Sequence, residues 1–192
     1  AAAMTFGPMS FAQQAPEKKD VTIAVGGKSL YYYLPLSIAE QLGYFKDEGL
    51  NVKIVDFQGG SRSLQAVVGG SADVVSGAFE HTISMQAKKQ PMTAFVLQGR
   101  APQLALVVSN KTMKDYKQLS DLKGKKVGVT APGSSSQMVA NFILKKGGLG
   151  PKDVAFIGVG SSSGAVSAIR SGQIDALINL DPVITILLKN GD

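Results

Sequence analysis

Residues 54–75 read IVDFQGGSRSLQAVVGGSADVV, and residues 156–177 read FIGVGSSSGAVSAIRSGQIDAL. Both follow one plan: an apolar strand-like run, a Gly/Ser turn, a helical stretch, a glycine, and a second apolar run entered through an aspartate. The offset is 102 positions throughout, which puts Ser61 on Ser163, Ala66 on Ala168, Val67 on Ile169, Gly70 on Gly172 and Asp73 on Asp175. Self-similarity at one fixed spacing predicts two similar α/β units.

Outward from the first copy, Val21–Val25 is a short β-rich run closed by Gly26-Gly27, and Leu34, Ile38 and Leu42 recur at helical spacing after Pro35. Val52–Phe57 and Asp73–Ser76 read as strands, and a helix starts near Glu80 and His81. Thr93–Gln98 is expected to be a further strand of a parallel sheet. Beyond Gly99–Pro102 a second series begins: the strands Leu104–Ser109 and Val127–Thr130, a Ser-rich turn, a helix from about Gln137 to Lys146, and the strand Val154–Val159. The second copy follows, and Asn179-Leu180-Asp181-Pro182 opens a last helix. The expected division is residues 21–99 as lobe 1, 100–103 as hinge and 104–192 as lobe 2.

The chain has 192 residues, 44% of them hydrophobic, with 20 basic and 14 acidic side chains and a net charge of +6. Only Arg62, Arg100 and Arg170 offer a forked guanidinium; the other basic residues are scattered lysines, so a solvated surface is expected and no nucleic-acid partner. The absence of cysteine excludes disulfides, thiolate metal sites and thiol nucleophiles. Residues 1–15 (AAAMTFGPMSFAQQA) are uncharged and rich in small residues, like the end of an export signal, with Ser10 and Ala12 spaced for cleavage after Ala12. Residues 1–20 are accordingly set aside as a leader remnant and spacer.

Three turns place small residues just before an expected helix: Gly59-Gly60-Ser61, Gly133–Ser136 and Gly160–Ser163. A helix N-terminus presents unpaired N–H groups and partial positive charge, and Ser is also a good N-cap, so one such turn has a structural reading as well as a binding one. Three of them at the same ends of parallel strands point to a ligand crevice. One hydrogen bond to a charged group contributes about 1.5–3 kcal/mol, whereas micromolar binding needs about 8 kcal/mol, so several turns have to act together. His81 is the only histidine, which excludes a His-rich metal site; no P-loop lysine follows the Gly/Ser turns and no G-x-G-x-x-G occurs, so neither nucleotide nor other cofactor is expected. Glu80 and His81 fall on the same rim as the turns, where they either contact ligand or cap the next helix. Tyr31–Tyr33 can stack on a solute or pack at a hinge.

The runs LPLSIAEQLGYFKDEGLNVKIVDF (34–57), QGGSRSLQAVVGGSADVV (58–75), LSDLKGKKVGVTAPGSSS (119–136) and SAIRSGQIDALINLDP (167–182) resemble the SsuA/THI5-like, or NMT1-like, substrate-binding proteins of ABC importers for nitrate, sulfonates and taurine. The resemblance implies a periplasmic type II binding-protein fold with two doubly wound α/β lobes closing on a small anionic solute. It further implies a monomer, no enzymatic activity, and ABC permease membrane subunits as partners. It places ligand contacts at Gly27, Tyr31, Gly60, Ser61, Phe79, Glu80, His81, Ser134, Ser135, Ser136, Asn179 and Asp181. In the family the chain crosses back to complete the first lobe, so a C-terminally truncated chain is expected. Pyrimidine-synthesising enzymes share the THI5-like fold, but the Cys-rich motif expected of them has no counterpart here. An effector-sensing module of a transcription regulator is the alternative from another class.

Overall fold

The computed structural model describes residues 15–192, so the expected leader and its cleavage point lie outside the described residues. The strands form two sheets. The first has the order β2-β1-β3, with β1 (Asp20–Val25) parallel to both β2 (Asn51–Asp56) and β3 (Val74–Ser76). The second has the order β4-β7-β5-β6, in which β5 (Lys126–Val129) runs parallel to β6 (Ala155–Gly158) and β7 (Ala176–Asn179), while β4 (Ala105–Val108) is antiparallel to β7. The helices are α1 (Leu34–Gln41), α2 (Tyr44–Asp47), α3 (Gly60–Val68), α4 (Glu80–Ala87), α5 (Ser135–Lys146), α6 (Ser163–Ser171) and α7 (Val183–Asn190).

The repeat explains the equivalence of the two sheets. Asp73 and Asp175 do the same work: the Asp73 carboxylate accepts the Thr22 N–H at 2.8 Å and the Asp175 carboxylate accepts the Lys126 N–H at 2.9 Å, tying β3 to β1 and β7 to β5 at the strand starts. Their own N–H groups donate back to the Thr22 and Lys126 carbonyls at 2.9 and 2.8 Å. Gly70 and Gly172, with φ of 75° and 80°, turn the chain out of the preceding helix through the left-handed region that a side chain disfavours.

Packing is uneven. Helix α6 buries Ala165, Val166, Ala168 and Ile169 in a cluster with Ile174, Leu177 and Leu187 that also takes in Ile23, Val25, Leu30 and Tyr33, so one core joins both sheets. Full burial of a side chain such as Ile169 or Leu177 stabilises by about 1.5–3 kcal/mol. A second cluster under α5 holds Leu122, Val127, Leu144 and Ile178, whereas α3 meets β1 through the small residues Ala24, Ala66 and Ala72.

The stripe Leu34, Ile38, Leu42 lies on α1 and its C-cap, as its spacing predicts, and faces solvent at 49%, 44% and 59% exposure. One expectation is corrected. Thr93–Gln98 forms no strand: Phe95, Val96 and Leu97 are 74%, 72% and 73% exposed, and the first sheet has no counterpart of β4 among the described residues. An apolar run becomes a strand only when its backbone ladder is made, and residues 93–98 make none with the outer edge of β3. The segment is held instead by Gln98, whose Oε1 accepts the Ser76 hydroxyl at 2.9 Å and whose Nε2 donates to the Tyr32 carbonyl at 2.6 Å.

Candidate functional site

The strand C-termini of both sheets converge on one cavity. Gly26 follows β1, Ala78 lies two residues past β3, Thr130 follows β5 and Leu180 follows β7, and all four line a space of about 40 Å³ with Leu30, Tyr32, Tyr33, Gly60, Pro102, Leu104 and Ser135. Open α/β sheets bind ligands at this end of their strands. A larger crevice of about 290 Å³ lies further out, lined by Gln58, Arg62, Gly160, Gly164 and Gln173 among others. The inner cavity is the better candidate despite its size, because the unpartnered buried polar atoms described below gather beside it.

The Gly/Ser turns meet across the gap between the sheets. Ser134 accepts the Ser61 N–H at 3.0 Å and its hydroxyl lies 3.2 Å from that of Ser61, which itself donates to the Pro132 carbonyl at 2.8 Å. A first-turn N–H of α3 is thereby capped by a side chain of the other sheet. Gly26 has to be glycine, because a Cβ there would lie 2.5 Å from the Gly59 carbonyl carbon. Gly27 is equally constrained: its φ is +133° and a Cβ would run into the Ser161 hydroxyl.

The residues named from the sequence divide by what their side chains do. Gly60 and Ser135 line the cavity. Ser61 and Ser134 bond each other, and Ser136 stays within its own turn, accepting the Thr130 N–H at 3.0 Å and sharing a hydrogen bond of 2.9 Å with the Thr130 hydroxyl. Asn179 is fully buried and braces the β6–α6 turn, donating to the Gly160 carbonyl at 3.4 Å and accepting the Leu180 N–H at 2.9 Å. Asp181 caps α7, its carboxylate accepting both the N–H and the hydroxyl of Thr185, while its carbonyl accepts the Tyr31 N–H at 3.0 Å. The Tyr31 and Phe79 side chains are exposed. Tyr32 and Tyr33, named from the sequence as able to stack on a solute or pack at a hinge, line the cavity, and so do Thr130 and Leu104, which were not singled out; the signal for Thr130 was its place as the residue ending a strand-like run.

Glu80 and His81 open α4 beside this cavity. His81 is buried, and a Cβ on Gly60 would lie 3.1 Å from its Nε2. Glu80 Oε1, His81 Nε2 and Ser161 Oγ are buried without a hydrogen-bond partner. The Glu80 and His81 atoms stand 4.0 Å apart, too far for a hydrogen bond. Burial holds the His81 imidazole below its ordinary pKa near 6.5, partly opposed by the Glu80 charge. Burial raises the phenols of Tyr32 and Tyr33, with Glu80 adding to both; the Gly26 N–H, which donates to the Tyr33 hydroxyl at 3.1 Å, opposes the second shift. No group of His, Asp and Glu among the described residues is arranged to hold a metal.

The NMT1/THI5-like family profile matches residues 31–186. The chain belongs to this family. A 4-amino-5-hydroxymethyl-2-methylpyrimidine phosphate synthase of Schizosaccharomyces pombe is 27% identical over 162 residues, which cover 84% of this chain and 45% of that protein. A solved protein from Bordetella bronchiseptica RB50 is 65% identical with a TM-score of 0.90, over 92% of this chain and 55% of that one. The alkanesulfonate-binding protein SsuA from Xanthomonas axonopodis pv. citri, solved with MOPS, superposes with a TM-score of 0.68 at 22% identity, over 92% of this chain and 60% of that one. The fold is thus the α/β fold of the periplasmic binding proteins, and the chain spans about half the length of the curated relatives it matches. Among the described residues no helix is long and apolar enough to cross a membrane.

Proposed function

We propose that this NMT1/THI5-like chain is a solute-binding component of an ABC importer, exported to the periplasm, where it captures a small solute between two lobes and hands it to permease subunits. The lobes are residues 21–99 and 104–192, joined through 100–103. The observation that carries this reading is a cavity walled by the strand ends of both sheets, with Pro102 of the connecting segment in its lining. Closure on a solute is then a population shift driven by contacts that exist only when both walls meet. The Ser61–Ser134 pair is one such contact.

At about 40 Å³ the cavity has room for no more than a few water molecules, so a solute has to enter an opened form. A thermal-shift screen of the full chain against sulfonates, nitrate, carboxylates and amines tests the reading, because a tight ligand raises apparent stability by mass action. No shift with any class refutes it, and cytoplasmic retention on cell fractionation refutes the export. A second reading, an enzyme like the fungal synthases, is favoured by the 27% identity to one of them. Mass spectrometry of recovered solute separates the two, since a binder returns it unaltered.

A further inference from the structure

We propose that the cavity selects a solute presenting N–H donors, an amine, amidine or amino-heterocycle, through the Glu80 carboxylate and the His81 imidazole. The proposal rests on the solute-binding reading above and adds the chemistry of the ligand. Its basis is two acceptor-capable atoms left open at one place: Glu80 Oε1 and His81 Nε2, both buried, 4.0 Å apart and without a partner among the described residues. Buried polar atoms in folded proteins are paired in the great majority of cases, and a carboxylate oxygen can be satisfied only by a donor. A place in the first turn of α4 accounts for the charge of Glu80 through the helix dipole but leaves its Oε1 unbonded.

The surroundings point the same way. His81 reaches to Gly60 in the cavity wall, and the Glu80 charge is felt by Tyr32 and Tyr33, which also line it. Burial keeps His81 neutral near pH 7, so that its ring retains one nitrogen lone pair to accept an N–H. None of the lining residues is Lys or Arg. Lys28, close to the Gly26-Gly27 turn, is bound to Glu40 at 2.7 Å, and Arg62 lines the outer crevice. Glu80 and His81 stand behind that lining, His81 against Gly60, so an anion reaching the two open atoms would meet a carboxylate with no Lys or Arg among the lining residues, whereas an N–H donor would form a charge-assisted bond there.

The test is calorimetry and thermal shift on the full chain with acetamidine, benzamidine and 4-aminopyridine in one arm, and methanesulfonate and nitrate in the other. The donors are expected to bind and the anions not to. Glu80→Gln keeps shape but removes the charge, and is expected to weaken donor binding about tenfold to a hundredfold. Asp115→Asn, at an exposed carboxylate outside the cavity lining, is expected to leave it unchanged. Anion binding without donor binding, or donor affinity indifferent to Glu80→Gln, overturns this proposal while leaving the solute-binding reading intact. Failure of every probe in both arms overturns the two together.

Discussion

If the Ser61–Ser134 contact holds the two sheets together, Ser134→Ala releases them by a calculable amount. The substitution removes the acceptor of the Ser61 N–H at 3.0 Å and the hydroxyl pairing at 3.2 Å, leaving only the Ser61 bond to the Pro132 carbonyl. At about 1 kcal/mol net for each bond the loss is about 2 kcal/mol, an approximately 30-fold fall in the ratio of closed to open molecules. The chain has no cysteine, so cysteines introduced at the exposed Lys53 and Lys152, one on each side, allow specific labelling for single-molecule energy transfer. The control is Ser136→Ala: its hydroxyl bonds Thr130 inside one turn, so it should lower stability by about 1–2 kcal/mol without moving the closed-to-open ratio. An unchanged ratio in Ser134→Ala, or an equal change in both variants, refutes the clasp. Where the closed form is the tight-binding one, solute affinity of Ser134→Ala should fall by up to the same factor.

Gly26→Ala should destabilise the fold by about 1–3 kcal/mol in a denaturant titration, because the neighbour it meets is the Gly59–Gly60 backbone and not a side chain that can turn away. Ser135→Trp should abolish solute binding in calorimetry with a native far-ultraviolet spectrum, since Ser135 lines the cavity. Below about pH 6.5 the unfolded chain binds a proton at His81 that the folded chain resists, so stability should decline as pH falls through the lowered folded value. His81→Gln should flatten that part of the profile, and Glu80→Gln, which removes the opposing charge, should steepen it. At more acid pH the Asp73 carboxylate, held low by Lys18 and the Thr22 N–H, contributes stability that is present above its ordinary value near 3.8 and lost as pH falls through the lower folded one; Asp73→Asn removes the dependence.

The duplicated stretch made the two α/β units legible because its landmarks are set by local chemistry. Gly70 and Gly172 stop a helix in the left-handed region, and Asp73 and Asp175 hold the start of a neighbouring strand. Each of these roles reaches at most one strand away, so residue type and spacing reveal it. The fate of Thr93–Gln98 and the antiparallel course of β4 were not legible, since both depend on which edge of a sheet is occupied. The stripe Leu34, Ile38, Leu42 has the period of a buried helix face, but period says nothing about whether another element arrives to cover it.

The site divides along the same line. Gly60 and Ser135 could be placed by the rule that Gly/Ser turns end strands at a crevice. What each hydroxyl does there could not, because Ser134 and Ser136 share one turn and one chemistry, yet the first reaches across to Ser61 and the second folds back on Thr130. Net charge bears little on the ligand for a related reason. The +6 is a property of the whole surface, whereas a cavity responds to the groups beside it. Here those groups are Glu80 and His81, and the lysines counted in the total lie elsewhere. The ligand's chemistry is therefore to be argued from the two unpaired atoms at the start of α4, not from the sum of charges along the chain.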